Sequence, residues 1–229
     1  MAAHPLVVPE PALYRGNWKT GLFGKERPLY LEIGTGMGTF IRESAAANPE
    51  ISYVGLEMNS TVLLKAIQRY EKKVREENCA ADNLRFIASD ARLLEDYFGA
   101  GEVDRIYLNF SDPWPKKKNA NKRLTSPMFL ERYRKVLAPG ARIEFKTDNR
   151  DLFDYSVETA RENGWVFEQL TYDLHHDPVL SAGNIMTEYE AKFSAKGNLI
   201  GRMVIRRPEG AEGLPAGETK KTKPAENGK

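Results

Sequence analysis

A chain of 229 residues with 41% hydrophobic content can bury one sizeable core, so a single domain with short decorations is expected. Its formal charge of +2 means that any grip on nucleic acid must come from local clusters rather than from the overall field. The single cysteine, Cys79, excludes an internal disulfide, no apolar run reaches membrane-spanning length, and the first residues lack a signal-peptide pattern, so a soluble, cytoplasmic protein is expected.

Residues 1–27 carry few regular signals: Pro5, Pro9 and Pro11, then Tyr14-Arg15-Gly16-Asn17-Trp18-Lys19. They read as an arm laid over the domain and anchored by Trp18 and Phe23, or as a segment that orders on a partner. From residue 28 strands alternate with helices. Strands are expected at 29–33, 51–57, 84–88, 103–108, 141–146, 165–172 and 199–206. A helix over 38–47 closes at Asn48-Pro49, and Asn59 or Ser60 caps a long one with Leu63, Ile67, Tyr70 and Val74 on one face. A short helix lies between the third and fourth strands. Ser126 caps and Pro127 opens another helix, with Phe129, Leu130, Tyr133 and Leu137 in its apolar stripe, ending at Pro139-Gly140. A further helix spans 149–163. This spacing indicates an α/β domain over 28–207 with a doubly wound, mostly parallel sheet. Residues 208–229 are nearly free of apolar side chains, and a disordered tail is expected.

Chemistry-bearing residues recur where the strands end. The first strand runs into Glu32-Ile33-Gly34-Thr35-Gly36-Met37-Gly38, where Gly34 and Gly36 permit a tight turn against the next helix. The spacing G-x-G-x-G is not the dinucleotide fingerprint, and no triphosphate loop occurs. Glu32 inside that turn would repel a pyrophosphate and suit a cationic ligand. Glu57 ends the second strand, 23 residues after Gly34, where a carboxylate often holds a ribose diol. Asp90 ends the third, where an acid can meet an adenine amino group. Singly, each acid reads equally as a helix cap; in register at successive strand ends they fit S-adenosyl-L-methionine, with its amino-acid and sulfonium part, ribose and adenine.

After the fourth strand comes Asn109-Phe110-Ser111-Asp112-Pro113-Trp114-Pro115, followed by Lys116, Lys117, Lys118, Asn119, Ala120, Asn121, Lys122 and Arg123. Two prolines bracket Trp114, so an extended, stiff loop is expected there. In open α/β sheets this edge is where ligands bind. The basic run alone reads as a solvated surface loop; an acid and a flat ring directly ahead of it point to a base pocket with phosphate contacts beyond. The [DN]-P-P-[YFW] signature of exocyclic-amine methyltransferases is only partly matched, with one proline between Asp112 and Trp114. Trp114 either stacks on a base or buttresses the loop.

The segments Leu31 to Gly38, Asn109 to Lys117, Phe145-Lys146-Thr147-Asp148-Asn149 and Thr187-Glu188-Tyr189-Glu190 resemble the bacterial tRNA (guanine-N7-)-methyltransferase family, over about residues 12–207. That resemblance implies a Rossmann-like class I methyltransferase fold acting on the guanosine at position 46 of tRNA. It implies cofactor contacts at Glu32, Glu57, Asp90 and Asp112, with Asp112 also catalytic. For tRNA it implies contacts at Lys116, the segment Lys118-Asn119-Ala120-Asn121-Lys122-Arg123, Asp148, and Thr187, Glu188, Tyr189 and Glu190. From the residues alone, Asp148 reads as the N-cap of the next helix and Thr187 to Glu190 as a capped helix start. His175 and His176 adjoin Asp177 without metal-ligand spacing, so no metal is expected. Other classes stay open: a methyltransferase of exocyclic base amines, or a non-catalytic RNA-binding module. A monomer or homodimer is expected.

Overall fold

Seven strands, β1 Leu29–Ile33, β2 Ser52–Glu57, β3 Leu84–Ala88, β4 Val103–Asn109, β5 Leu137–Thr147, β6 Val166–Thr171 and β7 Gly201–Arg206, form one sheet in the computed structural model, which describes residues 4–77 and 81–208. Cys79 and the expected tail from residue 209 onward lie outside the described residues. The strand order is β3-β2-β1-β4-β5-β7-β6, and β7 alone runs antiparallel to its neighbours. Six α-helices accompany the sheet among the described residues: α1 Thr39–Ala47, α2 Ser60–Glu77, α3 Leu94–Tyr97, α4 Pro127–Val136, α5 Arg150–Glu162 and α6 Glu188–Ser194.

The strands alternate their side chains between two apolar layers. Phe40 and Ile41 of α1 and Leu63, Ile67 and Tyr70 of α2 pack with Tyr53, Phe86 and Tyr107 on one face. Phe129, Leu130 and Tyr133 of α4 and Leu152, Phe153 and Val157 of α5 pack on the other, against Leu31, Ile33, Ile106, Leu108, Ile143 and Phe145. Each such side chain contributes about 1.5–3 kcal/mol when buried. The arm covers the free edge of β3: Phe86 donates its N–H to Leu6 O (2.7 Å), and Phe86 O accepts from Val8 N (2.9 Å). Trp18 is fully buried, stacked on Phe98 at 4.9 Å and donating to Tyr97 O. Phe23 packs beside the same core.

Two expected boundaries move for physical reasons. Helix α4 ends at Val136, and Leu137, expected in its apolar stripe, instead opens β5 opposite Val103. Between Val103 and Arg105 the register shifts from Leu137 to Arg142, so Pro139 and Gly140 bulge out of the ladder. A proline without N–H is tolerated at such a bulge, and the strand can begin well before residue 141. At α5 the N-cap is Asn149, whose Oδ1 accepts from Leu152 N at 2.8 Å. Asp148 is therefore released from the capping role read for it. Asn59 caps α2, accepting from Thr61 N and Val62 N. Ser126 makes no side-chain cap to α4; its hydroxyl donates to Asn121 O.

Candidate active site

The carboxyl ends of β1, β2, β3, β4 and β5 gather most of the expected site residues on one edge of the sheet. Gly34 and Gly36 turn with φ of 76° and 54°, a region that strains any other side chain. Gly34 N and Thr35 N both donate to Leu56 O, which ties the turn to β2. Glu57, buried at the end of β2, completes the tie: Oε2 accepts from Gly36 N (3.1 Å) and Oε1 from Asn59 N (2.9 Å). Each of its oxygens keeps a lone pair for another donor.

Glu32 is 2% exposed, and its Oε1 accepts from Asn109 Nδ2 at 2.8 Å. Its Oε2 and the neighbouring Asn109 Oδ1 are buried acceptors without a partner among the described residues. Burial pushes the Glu32 carboxyl up to about 8, while the Asn109 hydrogen bond and the Lys146 charge pull it down and Glu57 adds to the rise. Two unpaired acceptors beside a glycine turn are matched by a ligand group that brings N–H donors and positive charge. The amino-acid end of S-adenosyl-L-methionine has that chemistry. Asp90 stands at the expected strand end, but its carboxylate already serves the turn that follows: Oδ1 accepts from Arg92 N and Oδ2 from the Arg92 guanidinium. Those Arg92 hydrogen bonds hold its pKa below the usual carboxylate value.

Beyond β4 the backbone is not extended as expected. Phe110 and Trp114 take φ of 52° and 42°, positions that cost a bulky residue about 1–3 kcal/mol each. Phe110 is held by its N–H to Lys146 O, and the Pro113 and Trp114 carbonyls are both held by the Arg123 guanidinium at 3.0 and 3.1 Å. Asp112, between these points, is exposed and makes no hydrogen bond or ion pair among the described residues. The basic run, expected as a loop, forms a 3-10 helix, Lys117–Lys122, stepping from Lys116. Lys116, Lys117, Lys118 and Lys122 are exposed with no carboxylate partner among the described residues. The Lys122 ammonium lies 4.7 Å over the Trp114 ring. Asn119 and Ala120 are half-buried and Asn121 is exposed. Arg123 is half-buried, with its Nε and Nη2 given to the Pro113 and Trp114 carbonyls.

At β5 the fully buried Lys146 donates to Glu190 Oε2 (2.7 Å), Asn184 Oδ1 and Ile185 O. Glu190 is 0% exposed and also completes a capping box with Thr187 at the start of α6. Glu190, expected as a tRNA contact, is thus enclosed and paired to a buried ammonium in this structure. Thr187 is half-buried in that box, whereas Glu188 and Tyr189 are exposed. Glu188 is clasped by Arg69 and by Thr39, across the first turn of α1, and the Arg69 hydrogen bond lowers its pKa. Tyr189 stacks on Phe193 at 4.1 Å and leans on Phe110 at 5.0 Å, which puts α6 beside the Asp112 loop. Asp148 Oδ2 accepts from Asn198 Nδ2 at 2.9 Å. His175 lies 3.2 Å from Glu190 and His176 pairs with Asp173; no group of metal-ligating side chains occurs among the described residues.

Asn109, Lys146, Arg69 and Asn198 had no role assigned from sequence. Lys146 is the one that signals itself there. A lysine directly after Phe145, near the end of a central strand, has to leave the sheet or find a buried partner.

Comparison with known proteins bears on the fold and the family. A family model described as "Putative methyltransferase" matches residues 26–203. A protein of Lachnoclostridium phytofermentans named tRNA (guanine-N(7)-)-methyltransferase is 47% identical over 207 residues, 90% of this chain and 93% of its own. Proteins of the same name from a Geobacillus species and from Bacillus cytotoxicus are 46% and 48% identical, over 91% and 86% of this chain and 91% and 87% of theirs. The 16S rRNA methyltransferase KamB shares the fold, with a TM-score of 0.59 at 15% identity over 84% of this chain and 93% of that one. An antibiotic-related methyltransferase does so equally, with a TM-score of 0.59 at 17% identity over 82% and 90%. The Rossmann-like class I methyltransferase architecture is therefore established, and the chain belongs to the tRNA (guanine-N(7)-)-methyltransferase family.

Proposed function

We propose that residues 28–207, with the arm of residues 4–27 packed on them, transfer a methyl group from S-adenosyl-L-methionine to N7 of the guanosine at position 46 of tRNA. The observation that carries this reading is the Asp112 carboxylate, without a partner among the described residues, on a strained loop that follows β4, the neighbour of β1, and leads into exposed lysines. Glu32 and Asn109 would hold the amino-acid end of the cofactor, Glu57 the ribose, and the β3 end the adenine. Bound there, the cofactor supplies an electrophilic methyl that the proton-free N7 lone pair takes up as the carbon–sulfur bond breaks. No general base is needed, so the protein's work is alignment and charge placement. Asp112 stabilises positive charge as it spreads onto the purine and accepts hydrogen bonds from the guanine edge. Lys116, Lys118 and Lys122 hold phosphates. Mass mapping of nucleosides from tRNA incubated with enzyme and cofactor tests the reading: N7-methylguanosine at the variable loop is expected, and methylation of an exocyclic amine would overturn it.

Two further results are expected. A carboxyl titrating near 8 is mostly protonated at pH 6, and a cationic ligand favours its ionised form. Cofactor binding should then release a proton and tighten by up to about tenfold per pH unit between pH 6 and 8. The unliganded fold has the opposite trend: the folded state holds this proton above the pH at which the unfolded chain loses it, so stability falls from about pH 4.5 to 8. Calorimetry in buffers of different ionisation enthalpy measures the proton, and Glu32→Gln should abolish both effects. Separately, neutralising Lys116, Lys118 or Lys122 should each lower the salt dependence of tRNA binding by about 0.7–0.9 in log–log slope. Unchanged slopes in all three variants would leave the run a solvated surface feature.

A further inference from the structure

We infer that Arg123 is a positioning residue for the methyl-transfer loop rather than a phosphate contact, an inference that rests on the function proposed above. Its Nε donates to Pro113 O at 3.0 Å and its Nη2 to Trp114 O at 3.1 Å, so one planar fork grips two successive carbonyls directly after Asp112. Trp114 sits at φ 42°, a conformation that only an outside restraint maintains in a residue followed by proline. The guanidinium face packs 4.2 Å from the Tyr155 ring of α5. Tyr155 lies beside the buried Ser156, whose hydroxyl bonds Thr125 Oγ1 at 2.6 Å and donates to Leu152 O. Arg123 thus ties the Asp112-Pro113-Trp114 turn to a rigid helix, and its own N–H to Ala120 O closes the basic 3-10 helix behind it. The basic segment has two jobs: exposed lysines face outward, and its last cation faces inward to aim Asp112 and Trp114. A fork with two parallel donors is needed for this, which a lysine ammonium does not provide.

The test compares Arg123→Gln and Arg123→Lys with wild type in single-turnover methylation at saturating tRNA, with salt-dependent tRNA binding and tryptophan emission read in parallel. Positioning predicts a 10- to 100-fold slower step in both variants, an unchanged salt slope, and a red shift as Trp114 loosens, since Trp18 and Trp165 are buried. Added methylguanidinium should restore part of the Arg123→Gln rate. A phosphate contact predicts instead that Arg123→Lys is near wild type and that Arg123→Gln loses about one unit of salt slope; that outcome overturns the inference. Wild-type rates in both variants, or failure of both to fold, overturn it as well. If wild-type protein does not methylate tRNA, the proposed function falls, while emission and salt slope still decide where Arg123 points.

Discussion

Asp112→Asn is expected to fold as wild type, bind cofactor and tRNA within a few fold, and lose about 100- to 1,000-fold in the single-turnover rate. The fold is insensitive because the carboxylate is exposed and makes no hydrogen bond or ion pair among the described residues, so nothing inside the protein loses a partner. The rate is sensitive because asparagine keeps the shape and one acceptor but removes the negative charge. In the proposed function, ground-state binding draws on the lysines and on Glu32 and Glu57, which the substitution leaves in place. An interaction made mainly in the transition state shows in the chemical step at saturating substrate, not only in affinity. Rapid-quench methylation at saturating cofactor and tRNA measures it. A variant within about threefold of wild type would reduce Asp112 to a turn residue, and Asp148 would become the next candidate.

The sheet was largely legible because its strands are short apolar runs punctuated by glycine, proline and capping residues, a pattern set locally. The first and third strands fall at their expected limits, and α4 opens at Pro127 as read. Where the sequence misled, a distant partner decided. Pro139 and Gly140 read as a stop, yet pairing with Val103 carries the strand back to Leu137. Proline on both sides of Trp114 read as extended backbone, yet Trp114 takes a positive φ, with its carbonyl held by Arg123, nine residues on. The same holds in the site. Glu32 and Glu57 are visible because they end strands, whereas the division of labour within Lys118-Asn119-Ala120-Asn121-Lys122-Arg123 depends on which way each side chain points. Glu190 read as part of a capped helix start, which it is, while its enclosure shows only with the buried lysine from β5.

The pair Lys146–Glu190 should reveal itself most strongly when one half is removed. Lys146→Met leaves the Glu190 carboxylate fully buried, with its 2.7 Å ammonium partner gone and only Asn184, the Thr187 backbone and the more distant His175 nearby. A buried charge stripped of its partner costs about 3–5 kcal/mol, which for a chain of this length lowers the melting temperature by roughly 6–20 °C. The double variant Lys146→Met/Glu190→Leu removes both charges and should recover most of that loss, because apolar replacements spare the desolvation of two ions. Recovered stability should not bring recovered function. Lys146 also donates to Asn184 Oδ1 and Ile185 O, so without it the chain leading to Thr187 and Tyr189 loses its anchor beneath the Asp112 loop. Its charge is one of the two influences that hold the Glu32 carboxyl down, so in the double variant that carboxyl rises further and cofactor binding near pH 7 weakens. Differential scanning calorimetry on the two single variants and the double, with cofactor titrations at pH 7 and pH 9, separates the two effects. A Lys146→Met protein that melts with the wild type would show that the pair contributes nothing to stability; a stable double variant with wild-type cofactor affinity at pH 7 would show that β5 does not reach the cofactor pocket through this lysine.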